Sequence, residues 1–383
     1  MKKFLLCFII LTIFSISSVY AEENLIPGAT SGVLMEESTG KLIFEKDKDK
    51  QVPVASMTKM VAQIIILDSI DAKKIKWDDV VTISKNAADM GGSQIYLSEA
   101  EKMTVRDLMK GISMASANDA TVAMAEYISG SEEKFVKKMN KKVEDLGLKN
   151  THFANSTGLD QDKHYSSAYD MALIARELLR YEDILKFSSV YEDYLRVDTP
   201  NKFWLVNTNK LVRLYNGADG LKTGHTDNAG YCLAATAVRN NMRLIGVVLG
   251  EESAKVRNSE AMELLDYGFN TKSVQSIKKK TDVIKNVKLN GASKANIKIY
   301  PEYDINILQD KNDSKIKYRI DTNINNLELP LSKNVKVGVI EIINKKNKKS
   351  LYKGNLVVHD DVYKLKFHEV LFNNIMGLIS GEI

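Results

Sequence analysis

Val54-Ala55-Ser56-Met57-Thr58-Lys59-Met60 follows Pro53 and leads into the apolar residues Val61 and Ile64-Ile65-Ile66-Leu67. The pattern predicts a helix beginning near Ser56, with Pro53 just ahead of it. Lys59 then lies on the same face one turn on, its amine within reach of the Ser56 hydroxyl. Spacing alone selects nothing. Ser-x-x-Lys also occurs at Ser38/Lys41, Ser131/Lys134, Ser276/Lys279, Ser314/Lys317 and Ser350/Lys353. A helix-capping Ser followed by a solvated Lys accounts for such matches.

Two further strings follow in order, Ser116-Ala117-Asn118 and Lys222-Thr223-Gly224-His225-Thr226. Residues 104–115 and 118–129 read as two helices, so Ser116 and Asn118 sit at a junction that points hydroxyl and amide into a cleft. Taken alone, the same residues read as a cap on the second helix. Lys222 and Thr223 read as lying on a strand bordering the cleft, where ammonium and hydroxyl bind a carboxylate and Gly224 lets a substrate chain lie close. Lys-Thr-Gly occurs once in the chain.

Together the strings hold a nucleophile, a base, a proton-passing hydroxyl and an anion site, the parts of a serine acyl-transferase that uses Lys in place of His. A Lys of ordinary pKa, about 10.4, is no base at neutral pH. The helix dipole and a second cation, Lys222, are expected to lower it. The backbone N–H groups of Ser56 and His225 are the expected oxyanion donors. The histidines fall at no metal-ligand spacing, so neither metal nor cofactor is expected.

The chain has 383 residues, room for two domains. Met1-Lys2-Lys3, an apolar run to about Ile16 and Val19-Tyr20-Ala21 read as a signal peptide, residues 1–21. Losing Lys2 and Lys3 takes the formal charge from +5 to +3, too little for a nucleic-acid partner. Cys7 leaves with the leader, and Cys232, in the run Tyr231 to Ala235, reads as a buried inert thiol. An exported, extracytoplasmic protein is expected.

Residues 29–47 read as a hairpin, residues 132–146 and about 167–180 as helices, 229–238 and 241–250 as strands, and 256–268 as a helix. Strands at both ends with helices between give α+β. Lys278-Lys279-Lys280 reads as a linker. Alternating runs at 297–300, 305–308, 316–320, 335–339 and 356–358 predict a small antiparallel β domain. Residues 366–380 carry one apolar and one polar face, an amphipathic helix that either lies on a membrane surface or packs on the β domain. The expected division is 1–21, 22–273, 274–365 and 366–383.

The three strings in this order resemble the penicillin-recognising active-site serine enzymes. Their wording narrows the resemblance to low-molecular-mass penicillin-binding proteins, the D-alanyl-D-alanine carboxypeptidases of peptidase family S11. Concordant text includes Val54 to Met60, Gly32 to Glu45, Gly111 to Ala123, Gly147 to Phe153, Tyr165-Ser166-Ser167 with Asp170-Met171-Ala172, and Gly220 to Gly230. The match covers residues ~25–270 closely, and the β domain and terminal helix in layout.

The resemblance implies a transpeptidase/β-lactamase-like domain, an antiparallel sheet flanked by helices, with a β domain appended. It implies that Ser56 attacks the bond between the last two D-alanines of a peptidoglycan stem pentapeptide, with Lys59 taking its proton. Ser116 and Asn118 then assist proton transfer and hold the peptide. Lys222 and Thr223 bind the terminal carboxylate, Arg257 supports it, and β-lactams acylate Ser56. The terminal helix matches the family's membrane anchor in position.

Two rivals share the strings. A class A β-lactamase needs a deacylating Glu in Glu-x-x-Leu-Asn, but Leu-Asn occurs only at Leu289-Asn290, with Asn286 three residues before Leu289. A non-catalytic β-lactam or wall-binding protein has no need of the Lys59 base.

Overall fold

The computed structural model describes residues 24–370, apart from 295 and 367. The expected signal peptide lies outside the described residues, as does the amphipathic segment beyond Val370. No helix among them is long and apolar enough to cross a membrane.

One antiparallel sheet organises the larger part of the chain. Its strands are β1 (Ser31–Glu36), β2 (Lys41–Lys46), β3 (Ala218–Thr226), β4 (Gly230–Arg239) and β5 (Met242–Glu251), in the spatial order β2-β1-β5-β4-β3. The first two form the expected hairpin, with Ser38 in the turn, its hydroxyl and amide both bonded to Glu36. Both faces of the sheet are covered, which is why its inner strands read as continuous apolar runs. Val33, Met35, Ala234, Ile245 and Val247 face one core. Their neighbours Leu34, Leu233, Ala235, Leu244 and Val248 face the other. Each buried Val, Leu, Ile or Met among them contributes roughly 1.5–3 kcal/mol.

On the first face lies α1 (Lys59–Asp71), with α2 (Asn118–Ser129), α3 (Glu132–Asp145) and α4 (Ala168–Leu178) around it. Lys59 through Leu67 are buried without interruption, the mark of a helix enclosed on all sides. The two polar residues of that stretch are therefore partnered: Lys59 as described below, and Gln63 by donating to Ser113 Oγ at 2.8 Å. On the second face α5 (Ala254–Thr271) packs through Ala261, Leu264, Leu265 and Phe269.

Beyond α5 the chain turns directly into β6 (Lys272–Lys278). The expected linker at Lys278 to Lys280 is thus corrected: Lys278 closes a strand paired with Ile305, and the turn begins at Lys279. The remaining strands are β7 (Lys285–Val287), β8 (Ile297–Pro301), β9 (Ile305–Asp310), β10 (Tyr318–Ile324), β11 (Lys336–Asn344) and β12 (Ser350–Val358). They make the sheet β7-β8-β12-β11-β10 and the pair β6-β9 around a separate apolar core. The basic run Asn344 to Lys349 is the tip of the β11–β12 hairpin, as read.

Candidate active site

The nucleophile segment is a 3-10 turn, Ala55–Thr58, running into α1 at Lys59. Ala55 has φ 47°, a left-handed conformation costly for a residue with a Cβ and held here by its surroundings. Two glycines grip the turn. A Cβ on Gly158, at φ +88°, would lie 2.0 Å from the Ala55 carbonyl oxygen, and one on Gly224 would lie 2.6 Å from that of Val54. Gly224, expected to make room for substrate, therefore makes room for the nucleophile turn itself.

Lys59 Nζ donates to Ser56 Oγ at 2.8 Å and to the Thr157 carbonyl at 2.6 Å, and the residue is fully buried. Burial first, then the Lys222 charge, hold its ammonium well below the usual range, against the pull of the Asp119 carboxylate. The sequence reading named Lys222 and the helix dipole; the larger cause is burial, which it left out. Asp119 accepts from the backbone N–H groups of Ile95, Leu97 and Ala120.

Ser116 and Asn118 are not helix caps. Ala117 occupies the N-cap of α2, and no side chain caps it. A π-helical turn, Gly111–Ala115, delivers Ser116 at φ 60°. Irregular turns of this kind recur at functional sites. Ser116 Oγ and Asn118 Oδ1 are buried with no protein partner among the described residues. The Asn118 amide donates to the Gly91 carbonyl at 2.7 Å, leaving its own carbonyl to accept. Buried polar atoms are nearly always hydrogen-bonded, so two unanswered ones in the middle string mark it as a place where polar groups are left free to act.

β3 is the sheet's edge strand, so one row of its backbone groups has no strand partner. On it Lys222 Nζ donates to the Thr223 carbonyl at 2.9 Å, and Thr223 Oγ1 to Thr208 Oγ1 at 2.8 Å. Burial and then the Arg257 charge push Lys222 down to about 7. Arg257, on α5 and 5% exposed, donates through Nε and Nη2 to Asn258 Oδ1. The His225 side chain is exposed and stacks on Tyr231 at 4.0 Å between ring centroids. Strand β3 packs on the nucleophile turn at Gly224, and Lys222 acts electrostatically on Lys59. The third string is thereby joined to the first.

Thr157, Gly158 and Asp119 were missed as site residues. Asn155-Ser156-Thr157-Gly158 reads only as a loop, because its contribution is a carbonyl oxygen and a missing Cβ. Asn155 Oδ1 accepts from the Thr157 and Gly158 N–H groups, at 3.2 and 2.7 Å, which fixes that carbonyl's direction. Among the described residues no group of three His, Cys, Asp or Glu side chains could hold a metal ion.

A family model described as D-alanyl-D-alanine carboxypeptidase matches residues 20–253, and one for the penicillin-binding protein 5 C-terminal domain matches residues 272–364. The chain is 46% identical over 343 residues to the D-alanyl-D-alanine carboxypeptidase DacF of Bacillus subtilis, covering 88% of this chain and 87% of that one. It is 35% identical over 390 residues to the carboxypeptidase DacA of Haemophilus influenzae, covering 99% and 97%. Penicillin binding protein 5 from Haemophilus influenzae superimposes with a TM-score of 0.71 at 33% identity, over 88% of this chain and 98% of that one. Penicillin-binding protein D2 from Listeria monocytogenes, in its ampicillin-bound form, gives 0.57 at 30%, over 63% and 98%.

Proposed function

The chain belongs to the D-alanyl-D-alanine carboxypeptidase family and is such an enzyme, and from that premise we propose which atoms do the work and on what. Ser56 Oγ attacks the carbonyl between the two terminal D-alanines of a peptidoglycan stem pentapeptide. Its proton passes to the neutral Lys59 amine as the Oγ–C bond forms. The carbonyl oxygen becomes an oxyanion held by the N–H groups of Ser56 and His225. The Ser116 hydroxyl relays the proton from Lys59 to the departing amine, the C–N bond breaks, and D-alanine leaves. Water then attacks the acyl group, gives a proton back through Lys59, and releases the tetrapeptide from Ser56.

Asn118 holds the peptide backbone. Lys222 and Thr223 bind the terminal carboxylate, with Arg257 behind Lys222. The strained ring of a β-lactam resembles the acyl-D-alanyl-D-alanine end and acylates Ser56 in its place. With the leader read at residues 1–21, the enzyme works outside the cytoplasm, and the segment 366–383 is its candidate contact with the membrane surface. The observation that carries this reading is the 2.8 Å contact between Ser56 Oγ and a buried amine whose charge is suppressed.

Two outcomes test it. The enzyme is expected to release D-alanine from diacyl-L-lysyl-D-alanyl-D-alanine and to leave the same peptide with an amidated C-terminus almost untouched. Equal turnover of both would remove the carboxylate-binding role from Lys222 and Thr223.

The pH profile tests the electrostatics. Lys222 binds the carboxylate as a cation, and with a pKa of about 7 it loses that charge as pH rises through 7. Affinity for substrate therefore falls on the alkaline side. The Arg257 charge lowers the Lys222 pKa, so Arg257→Gln is expected to move the alkaline limb of kcat/KM to higher pH while weakening binding. A limb that stays in place or moves down would contradict the coupling.

A further inference from the structure

We infer that His164 is a positioning residue for the Ser56–Lys59 pair, carrying its proton on Nε2 and acting through the Thr58 hydroxyl; this rests on the reading of Ser56 as nucleophile. His164 belongs to none of the three strings, and among the described residues its ring bonds to Thr58 and Ala154, not to Ser56. The residue is 7% exposed and its ring lies against Phe153, with ring centroids 5.4 Å apart.

The hydrogen bonds assign the tautomer. The Ala154 N–H donates to His164 Nδ1 at 3.2 Å, and a backbone N–H can only donate, so Nδ1 is bare. The proton of the neutral ring is then on Nε2, which donates to Thr58 Oγ1 at 2.7 Å. Thr58 is fully buried and stands between Met57 and Lys59, in the last position of the nucleophile turn.

The ring braces two pieces of the site against each other. On one side is the turn carrying Ser56. On the other is the loop 154–164, whose Thr157 carbonyl accepts from Lys59 and whose Gly158 packs under Ala55. Next to the ring is a cavity of about 240 Å³, lined by Val54, Ala55, Gly158, Asp160 and Asn228 among others. With space on that side, packing is not the whole of the joint: the Nε2 bond to Thr58 ties the loop to the turn beside the Lys59–Thr157 bond, and the Ala154 N–H fixes the ring within its own loop.

The charged and titratable groups facing the ring are His152, Asp160 and Lys59. Burial, reinforced by His152 and Lys59 and opposed by Asp160, pushes His164 down to about 4, so it is neutral at working pH. Protonation would set an N–H against the Ala154 N–H and add a cation beside Lys59.

The test is the rate of Ser56 acylation by penicillin, followed by mass across pH beside D-alanine release. In His164→Gln the amide nitrogen reaches the Nε2 position and donates to Thr58; in His164→Asn the side chain is too short. His164→Ala and His164→Asn are expected to slow acylation about 10²-fold, the scale of a small misplacement of reacting groups, and His164→Gln to recover most of it. Thr58→Val should match His164→Ala, and the double variant should be no slower than either alone. The acid limb should move to higher pH in His164→Ala, because water reaching Lys59 relieves its burial.

Equal rates for the Gln and Asn variants, multiplying effects in the double variant, or an unchanged limb would overturn the brace. If His164→Ala does not fold, the Gln–Asn contrast and Thr58→Val decide on the same terms. His164→Ala or Thr58→Val acylated as fast as the parent at every pH overturns the inference alone. A parent that penicillin does not acylate overturns the nucleophile reading, and this inference with it.

Discussion

Replacing Lys59 with alanine is expected to slow acylation of Ser56 by about 10³-fold, within the usual range for loss of a general base. Ser56 Oγ has the Lys59 amine as its hydrogen-bond partner at 2.8 Å, and His164 is engaged with Thr58. Among the described residues no second base is bonded to Ser56 Oγ. The amine is neutral enough to act because it is fully buried and faces Lys222, conditions in which an ammonium is poorly held.

Lys59→Arg separates base from charge. A guanidinium keeps its proton in any protein environment. It also brings a permanent second cation toward Lys222 in a closed site. Lys59→Arg is therefore expected to be as slow as Lys59→Ala, with penicillin acylation read by mass and folding by thermal melting. Arginine restoring the rate to within about tenfold would mean that Lys59 serves by its charge, and proton abstraction would need another owner.

What the sequence made legible was whatever repeats with a period or depends on a side chain's own chemistry. The hairpin β1–β2 and the strands β4 and β5 were visible as apolar runs around turn residues, the helix α5 as apolar residues at helical spacing, and most of the β domain as alternation. Ser56, Lys59 and Lys222 were visible because hydroxyl and amine chemistry is written in the residue type.

Short pairings were not visible. The strands Val80–Thr82 with Lys102–Thr104, and Glu192–Leu195 with Phe203–Val206, are too brief to display a period of two. Lys278 looked like linker because three consecutive lysines outweigh one strand end. Backbone contributions escaped for a different reason. The Thr157 carbonyl on Lys59 and the close approach of Gly158 to Ala55 belong to no side chain. His164 escaped because a neutral, doubly bonded ring looks in sequence like any other His. Burial of Lys59 escaped because it is a property of nine consecutive enclosed residues, Lys59 to Leu67, rather than of Lys59 alone.

Ser56→Ala is the most direct measurement. The substitution removes one oxygen from a turn whose shape is set by Gly158, Gly224 and the Thr58–His164 bond, so the variant should fold as the parent does. The assay is D-alanine release from diacyl-L-lysyl-D-alanyl-D-alanine, with penicillin adducts followed by mass in parallel. The parent is expected to release D-alanine and to gain one penicillin on the peptide containing Ser56. The variant should release at least about 10⁴-fold less and gain none, since a covalent mechanism without its nucleophile retains only what binding and the oxyanion site provide. Release that survives in Ser56→Ala would contradict the central claim, because the acyl group would then be carried elsewhere or not at all.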